Sequence, residues 1–181
     1  TVMNRATKLN VGILGTIFGI SGMNHGFFEI LQGNTPTPNL FIFAIGEAQK
    51  MWVHGNEPAL SLLPNFLISG IVAMVIGLAI VIWSLGFVQR KYGSLILFSL
   101  FVFLLLLGGG VAQILFFPWI CLVASRINKP LAWWKKILPT KSLTPLAKFW
   151  KVSLIVSATL LVVALLLATT GFVPTVTNPE V

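Results

Sequence analysis

Four apolar runs, over residues 11–31, 62–88, 94–124 and 152–173, decide what this chain can fold into. A helix needs about 20 apolar residues to cross about 30 Å of hydrocarbon, and each run reaches that length. Only 9% of the 181 residues are charged and 56% are hydrophobic. A soluble globular domain carries about 25% charged residues, so this chain lies outside that class. The 12% aromatic content excludes a disordered chain, and the single Cys121 excludes a disulfide scaffold. The expectation is an all-α integral membrane protein: one membrane domain over residues 1–181, folded as a small polytopic helix bundle.

The third run is too long for one crossing. Its 31 residues would reach about 46 Å as a straight helix. Gly108-Gly109-Gly110 lies near its centre and predicts a break, with Pro118 a second kink site. The chain then has three full spans plus a broken third segment, four to five membrane helices in all. Charge chooses between a single crossing and a hairpin, because Lys and Arg near span ends favour the cytoplasmic side. A hairpin with a cytoplasmic N-terminus places Arg5, Lys8, Arg90, Lys91 and the seven cations of residues 126–151 inside, leaving only Lys50 outside: 11 against 1. Four simple crossings give 8 against 4 at best, so the hairpin is preferred. The N-terminus and the 126–151 loop are accordingly expected in the cytoplasm, and residues 33–61 form an outer loop. Arg5 and Lys8 before an apolar run also resemble a signal peptide. The run is long, holds Asn24, His25 and Glu29, and lacks a small-residue cleavage pattern, so it reads as a retained span.

Gly12, Gly15, Gly19, Gly22 and Gly26 recur at spacings of 3, 4, 3 and 4, which puts all five on one helical face. Lipid provides no hydrophobic drive for helices to associate, so close packing on small residues is a main source of attraction. Gly70, Ala73, Gly77 and Ser84 form a matching stripe in the second run. The simplest reading is an intramolecular seal; the sharper one is that a stripe docks a foreign helix or a flat cofactor.

The acids and histidines are concentrated. There is no Asp, and of four Glu residues three (Glu29, Glu47, Glu57) fall with His25 and His54 between residues 25 and 57. His25 and Glu29 are four apart on a helix, so their side chains can meet. Residues 39–54 can form a short interfacial helix with Glu47, Met51 and His54 on one face. Folded over the mouth of the bundle, that helix would bring His25, Glu29, Glu47, His54 and Glu57 together. His25, Glu29, Glu47 and His54 are thus the candidate catalytic groups, acting as acid and base. His25, Glu29 and His54 are candidate ligands for Zn²⁺ or another divalent ion. His25 alone, with Ser21, Gly22 and Gly26 leaving a flat surface beside it, is the candidate for a haem- or chlorophyll-type macrocycle. Against these stands a self-satisfied His25–Glu29 pair with Glu47 and Glu57 facing water.

Residues 126–151 carry seven cations, no acid, Trp133, Trp134 and Trp150, and three prolines. Lys with Trp at a span boundary marks a segment lying on an anionic leaflet, so Lys129, Trp133, Trp134, Lys135, Lys136 and Trp150 are the expected lipid contacts. The net charge of +8 is read as a membrane-surface signature and not as nucleic-acid binding. No P-loop, GxGxxG after a strand, CxxC, GxSxG or Asp-rich motif occurs, which argues against nucleotide-dependent and Asp–Mg²⁺ chemistry. The leading expectation is an accessory or assembly subunit of a membrane complex, meeting anionic lipid and other subunits or its own copies. The alternatives are a small membrane enzyme or metal-, haem- or pigment-binding protein with its His/Glu site on the outer face, and a small-solute or lipid transporter opening at Gly108–Gly110.

Overall fold

The computed structural model describes residues 3–51, 55–130 and 136–172. The first helix, α1 (Arg5–Leu31), starts two turns before its apolar run because the Asn4 side chain accepts the Thr7 N–H at 3.0 Å and caps it. It stops before Gly33, whose φ of +76° suits a residue without a Cβ. Asn65 caps α2 (Phe66–Ile82) through the Ile68 N–H, so residues 62–64 of the second run stay outside the helix. A π-helical turn, Trp83–Phe87, prolongs α2. The third run breaks as its glycines predict. It forms α3 (Gly93–Leu106), a left-handed turn with Gly108 at φ +100° and Gly110 at φ +88°, a 3₁₀ turn (Ala112–Leu115) and α4 (Phe117–Ala124). The last helix, α5 (Thr140–Thr170), takes in the second half of the basic loop as well as the fourth apolar run.

Three helices, Arg5–Leu31, Phe66–Phe87 and Thr144–Thr170, are long and apolar enough to cross a membrane. The third run turns back on itself. Phe117 of α4 stacks on Phe101 of α3 at 5.6 Å and meets Phe98 edge-on at 5.5 Å. Beyond α4, the Ile127 carbonyl accepts the Asn4 N–H at 2.7 Å and the Asn128 amide donates to the Gln89 carbonyl at 2.6 Å. The segment therefore ends beside its own beginning and beside the start of α1. Arg5, Lys8, Arg90, Lys91, Arg126 and Lys129 gather at this end of the bundle, and the N-terminal half of α5 brings Lys141, Lys148 and Lys151 to it. Lys50 lies at the opposite end.

That opposite end is closed by a small cap of sheet, where an interfacial helix over residues 39–54 was expected. Strand β1 (Phe41–Phe43) pairs antiparallel with β2 (Pro58–Leu60), Ile42 opposite Ala59. Burial alternates along β1, with Ile42 buried between exposed Phe41 and Phe43, which is the period of a strand. The Gln32 side chain at the end of α1 donates to the Phe43 and Ala44 carbonyls and ties the strand down. A single 3₁₀ turn, Glu47–Gln49, follows among the described residues of this stretch, and Gly46 before it is extended. The broken run supplies a third edge: the Gly108 N–H bonds the Leu60 carbonyl at 2.9 Å, and the Val111 N–H bonds that of Pro58 at 3.1 Å. The backbone groups released by the break are thus paired with the cap.

The glycine face of α1 lies against the chain's own helices. A Cβ on Gly26 would stand 2.5 Å from the Gly70 carbonyl oxygen, and one on Gly19 would stand 2.8 Å from that of Gly77. Gly22 faces Leu104 of α3, and Gly15 abuts Ser84. Gly12 differs, since its nearest neighbour would be Leu85 at an ordinary 3.5 Å. Alanine at Gly19 or Gly26 is therefore expected to cost about 1–3 kcal/mol by overpacking. At Gly12 the same change should be neutral or slightly stabilising, since alanine favours the helix by up to about 1 kcal/mol. Denaturant titration in detergent micelles would show the contrast, and equal losses at all three positions would refute this account of the α1–α2 contact. By comparison α5 is loosely held: no part of its most apolar 18-residue window is buried.

Candidate functional site

Beneath the cap, the last two turns of α1 carry His25 and Glu29, both buried. The helical spacing allows these two to pair, but the structure gives His25 a different partner. Its Nε2 lies 3.0 Å from Glu57 Oε2, on the residue just before β2, with both side chains under 10% exposed. Pairing of β2 with β1 and with the broken run pins Glu57 there, since the Glu57 carbonyl itself accepts the Ala44 N–H at 2.8 Å. Glu57 Oε1 accepts the Thr169 hydroxyl at 3.3 Å, and Thr169 Oγ1 accepts the Asn24 amide at 3.2 Å. A hydrogen-bonded line thus runs from Asn24 on α1 through Thr169 at the end of α5 to Glu57 and His25.

Glu29 lies deeper, at 0% exposure. Neither of its oxygens has a well-formed hydrogen bond among the described residues; the Ser69 hydroxyl is its polar neighbour. Ser69 in turn meets the Ser61 hydroxyl at 2.7 Å. The broken run is fitted around both acidic and imidazole groups. A Cβ on Gly108 would come 2.6 Å from both Glu29 oxygens, and one on Gly110 would come 2.5 Å from His25 Nε2. Gln113, also buried, bonds back to the Gly109 carbonyl through its amide and leaves its own oxygen unpartnered among the described residues. Burying a polar group without a partner costs about 1–3 kcal/mol, so a cluster holding Glu29, Gln113 and His25 Nδ1 in that condition calls for a reason beyond packing.

The remaining sequence candidates are placed as follows. Glu47 is 88% exposed and bonds Lys50 at 2.6 Å on the outside of the cap, away from the cluster. His54, Trp133, Trp134 and Lys135 lie outside the described residues. No set of three His, Cys, Asp or Glu residues gathers for a metal among the described residues. Of the residues expected to leave a flat surface beside His25, Gly22 meets Leu104 and Gly26 meets α2, whereas Ser21 lines a groove against α5; Glu57 takes the imidazole Nε2. Lys129 and Lys136 are exposed at the cationic end, and Trp150 lines a groove there.

Sequence reasoning placed Glu57 among the groups that can converge but gave His25 to Glu29. It missed Thr169, Ser69 and the role of Gly108 and Gly110 as close neighbours of Glu29 and His25. Burial alternates over residues 57–61 in the structure, at 57, 59 and 61, but the sequence Glu-Pro-Ala-Leu-Ser has no matching apolar alternation, so no local signal marked the strand or the inward face of Glu57. Comparisons with protein-family models, with curated proteins and with solved structures give no match.

Proposed function

We propose that this is a small membrane-spanning enzyme or ligand-binding protein with an acid–base site at His25 and Glu57, on the outer end of a helix bundle. Three apolar helices and the gathering of cations at one end support a membrane orientation with that end cytoplasmic. Lys129, Lys136 and Trp150 then meet the anionic leaflet. The observation that carries the reading is the buried 3.0 Å contact between His25 Nε2 and Glu57 Oε2. A carboxylate bonded to one imidazole nitrogen fixes the ring's orientation and tautomer, leaving the other nitrogen to take or give a proton. Ionisable groups at membrane depth are costly and default to a functional role.

The test compares lipid extracts of membranes expressing wild-type protein, Glu57→Gln and His25→Gln, each checked for folding by gel filtration in detergent. A wild-type-dependent change in one lipid-soluble species should vanish in both variants, with turnover down about 10²–10⁴-fold. Identical extracts for wild type and Glu57→Gln would refute the acid–base reading.

A second reading is a subunit of a membrane complex. The glycine face of α1 is occupied by α2 and α3, so the support for this reading comes from α5, whose apolar length is unburied. Co-purification of a stoichiometric partner that is lost on Leu160→Lys, on the exposed side of α5, would favour it.

A further inference from the structure

We infer that the groove between α1 and α5 is the binding place of a single-chain amphiphile with a hydrogen-bonding head that carries no negative charge, such as a long-chain alcohol. This rests on the acid–base reading in one respect, that the head is delivered to the same line of groups. The groove encloses about 310 Å³, comparable to the smaller sites that take organic ligands. Ile17, Ile20, Val162, Leu165 and Leu166 make its length apolar. Its hydrogen-bonding groups are Ser21, Asn24 and Thr169. Asn24 and Thr169 are bonded to each other at the cap end, and Thr169 donates onward to Glu57. An apolar wall ending in an amide and a hydroxyl matches a chain with a polar head, the chain lying along the helices and the head at Thr169.

The character of the head follows from its neighbours. Glu57 stands directly behind Thr169, which disfavours a carboxylate or phosphate, and the cations of the bundle lie at the other end. Access follows from packing: α5 buries none of its most apolar window, so a chain dissolved in lipid can pass beside it without unfolding a core.

The experiment uses the full chain in phosphatidylcholine nanodiscs and a diazirine-bearing hexadecanol as photoprobe. Labelling should saturate, map to residues 17–24 and 162–169, and be competed by unlabelled hexadecanol far better than by hexadecanoic acid. Leu165→Trp, which fills the groove from α5, should abolish saturable labelling. Ile20→Trp fills it from α1 and serves the same purpose if the first variant does not fold. Thr169→Val should weaken labelling up to about tenfold, the loss of one hydrogen bond. Labelling that never saturates, spreads along the outer face of α5 and ignores both tryptophans would overturn the site. Stronger competition by the acid than the alcohol would overturn the assignment of the head. Failure of the acid–base reading is read separately: intact labelling with lipid extracts indifferent to Glu57→Gln leaves a binding groove without chemistry. Absent labelling with Glu57-dependent turnover leaves the chemistry and removes this entrance.

Discussion

Alanine at Gly110 is expected to be among the most damaging single-methyl changes at the described glycines. Two costs combine there. The residue holds φ at +88°, where an L side chain is strained by about 1–2 kcal/mol. Its new Cβ would also stand 2.5 Å from His25 Nε2, in an imidazole held by Glu57 and unable to retreat freely, which adds about 1–3 kcal/mol of overpacking. Gly108→Ala should behave alike, with φ +100° and both Glu29 oxygens 2.6 Å away. The separation of the two costs is testable. In a Glu29→Ala background the share of the steric cost due to Glu29 should disappear, while the contact with Ser69 Oγ at 2.6 Å and the strain persist, so the double mutant should lose somewhat less than the sum of the singles. Strict additivity would mean that Glu29 does not occupy the space against the broken run. Unfolding in denaturant, followed by tryptophan fluorescence, gives the comparison.

Removing one member of the His25–Glu57 pair is the second large effect. Glu57→Ala strips His25 of its partner in a site sealed from water, and breaking a buried pair typically costs about 3–5 kcal/mol. Taking both away should cost much less than the sum, because no polar group is then left stranded: His25→Leu with Glu57→Leu is expected to recover most of the stability. Activity should not return with it. That split between stability and turnover separates a working acid–base pair from a structural one, since a structural pair would lose nothing beyond stability. Glu47→Ala supplies the control. Its carboxylate meets only Lys50 on the surface, and an exposed pair of this kind contributes under about 1 kcal/mol.

Parts of this architecture were legible because they depend on neighbours in the chain. The number and order of the long helices follow from the apolar runs, although α1 and α5 extend beyond theirs, and the break of the third run follows from three adjacent glycines that disfavour helix. The facing of Gly12 to Gly26 toward one side follows from 3.6 residues per turn. The cap was misread for a physical reason as well. Over residues 39–54 the apolar positions fit a helix as well as they fit a strand, and the arbiter, pairing of Phe41–Phe43 with Pro58–Leu60, involves a segment that local periodicity does not see.

The site divides along the same line. Chain order alone places the acids and histidines of residues 25–57 near the end of α1 and in the loop that follows, because the later apolar runs contain no Asp, Glu or His. Which of them meet is set by long-range packing. A helical spacing of four permits His25 to reach Glu29, yet it cannot weigh that partner against Glu57, which the cap delivers from 32 residues further along the chain. Nor can it find Thr169, which joins Glu57 across 112 residues. Long-range pairing is settled by which backbone groups the broken run leaves unpaired and which strand edge satisfies them, a condition that arises once α3, the cap and α1 have packed together.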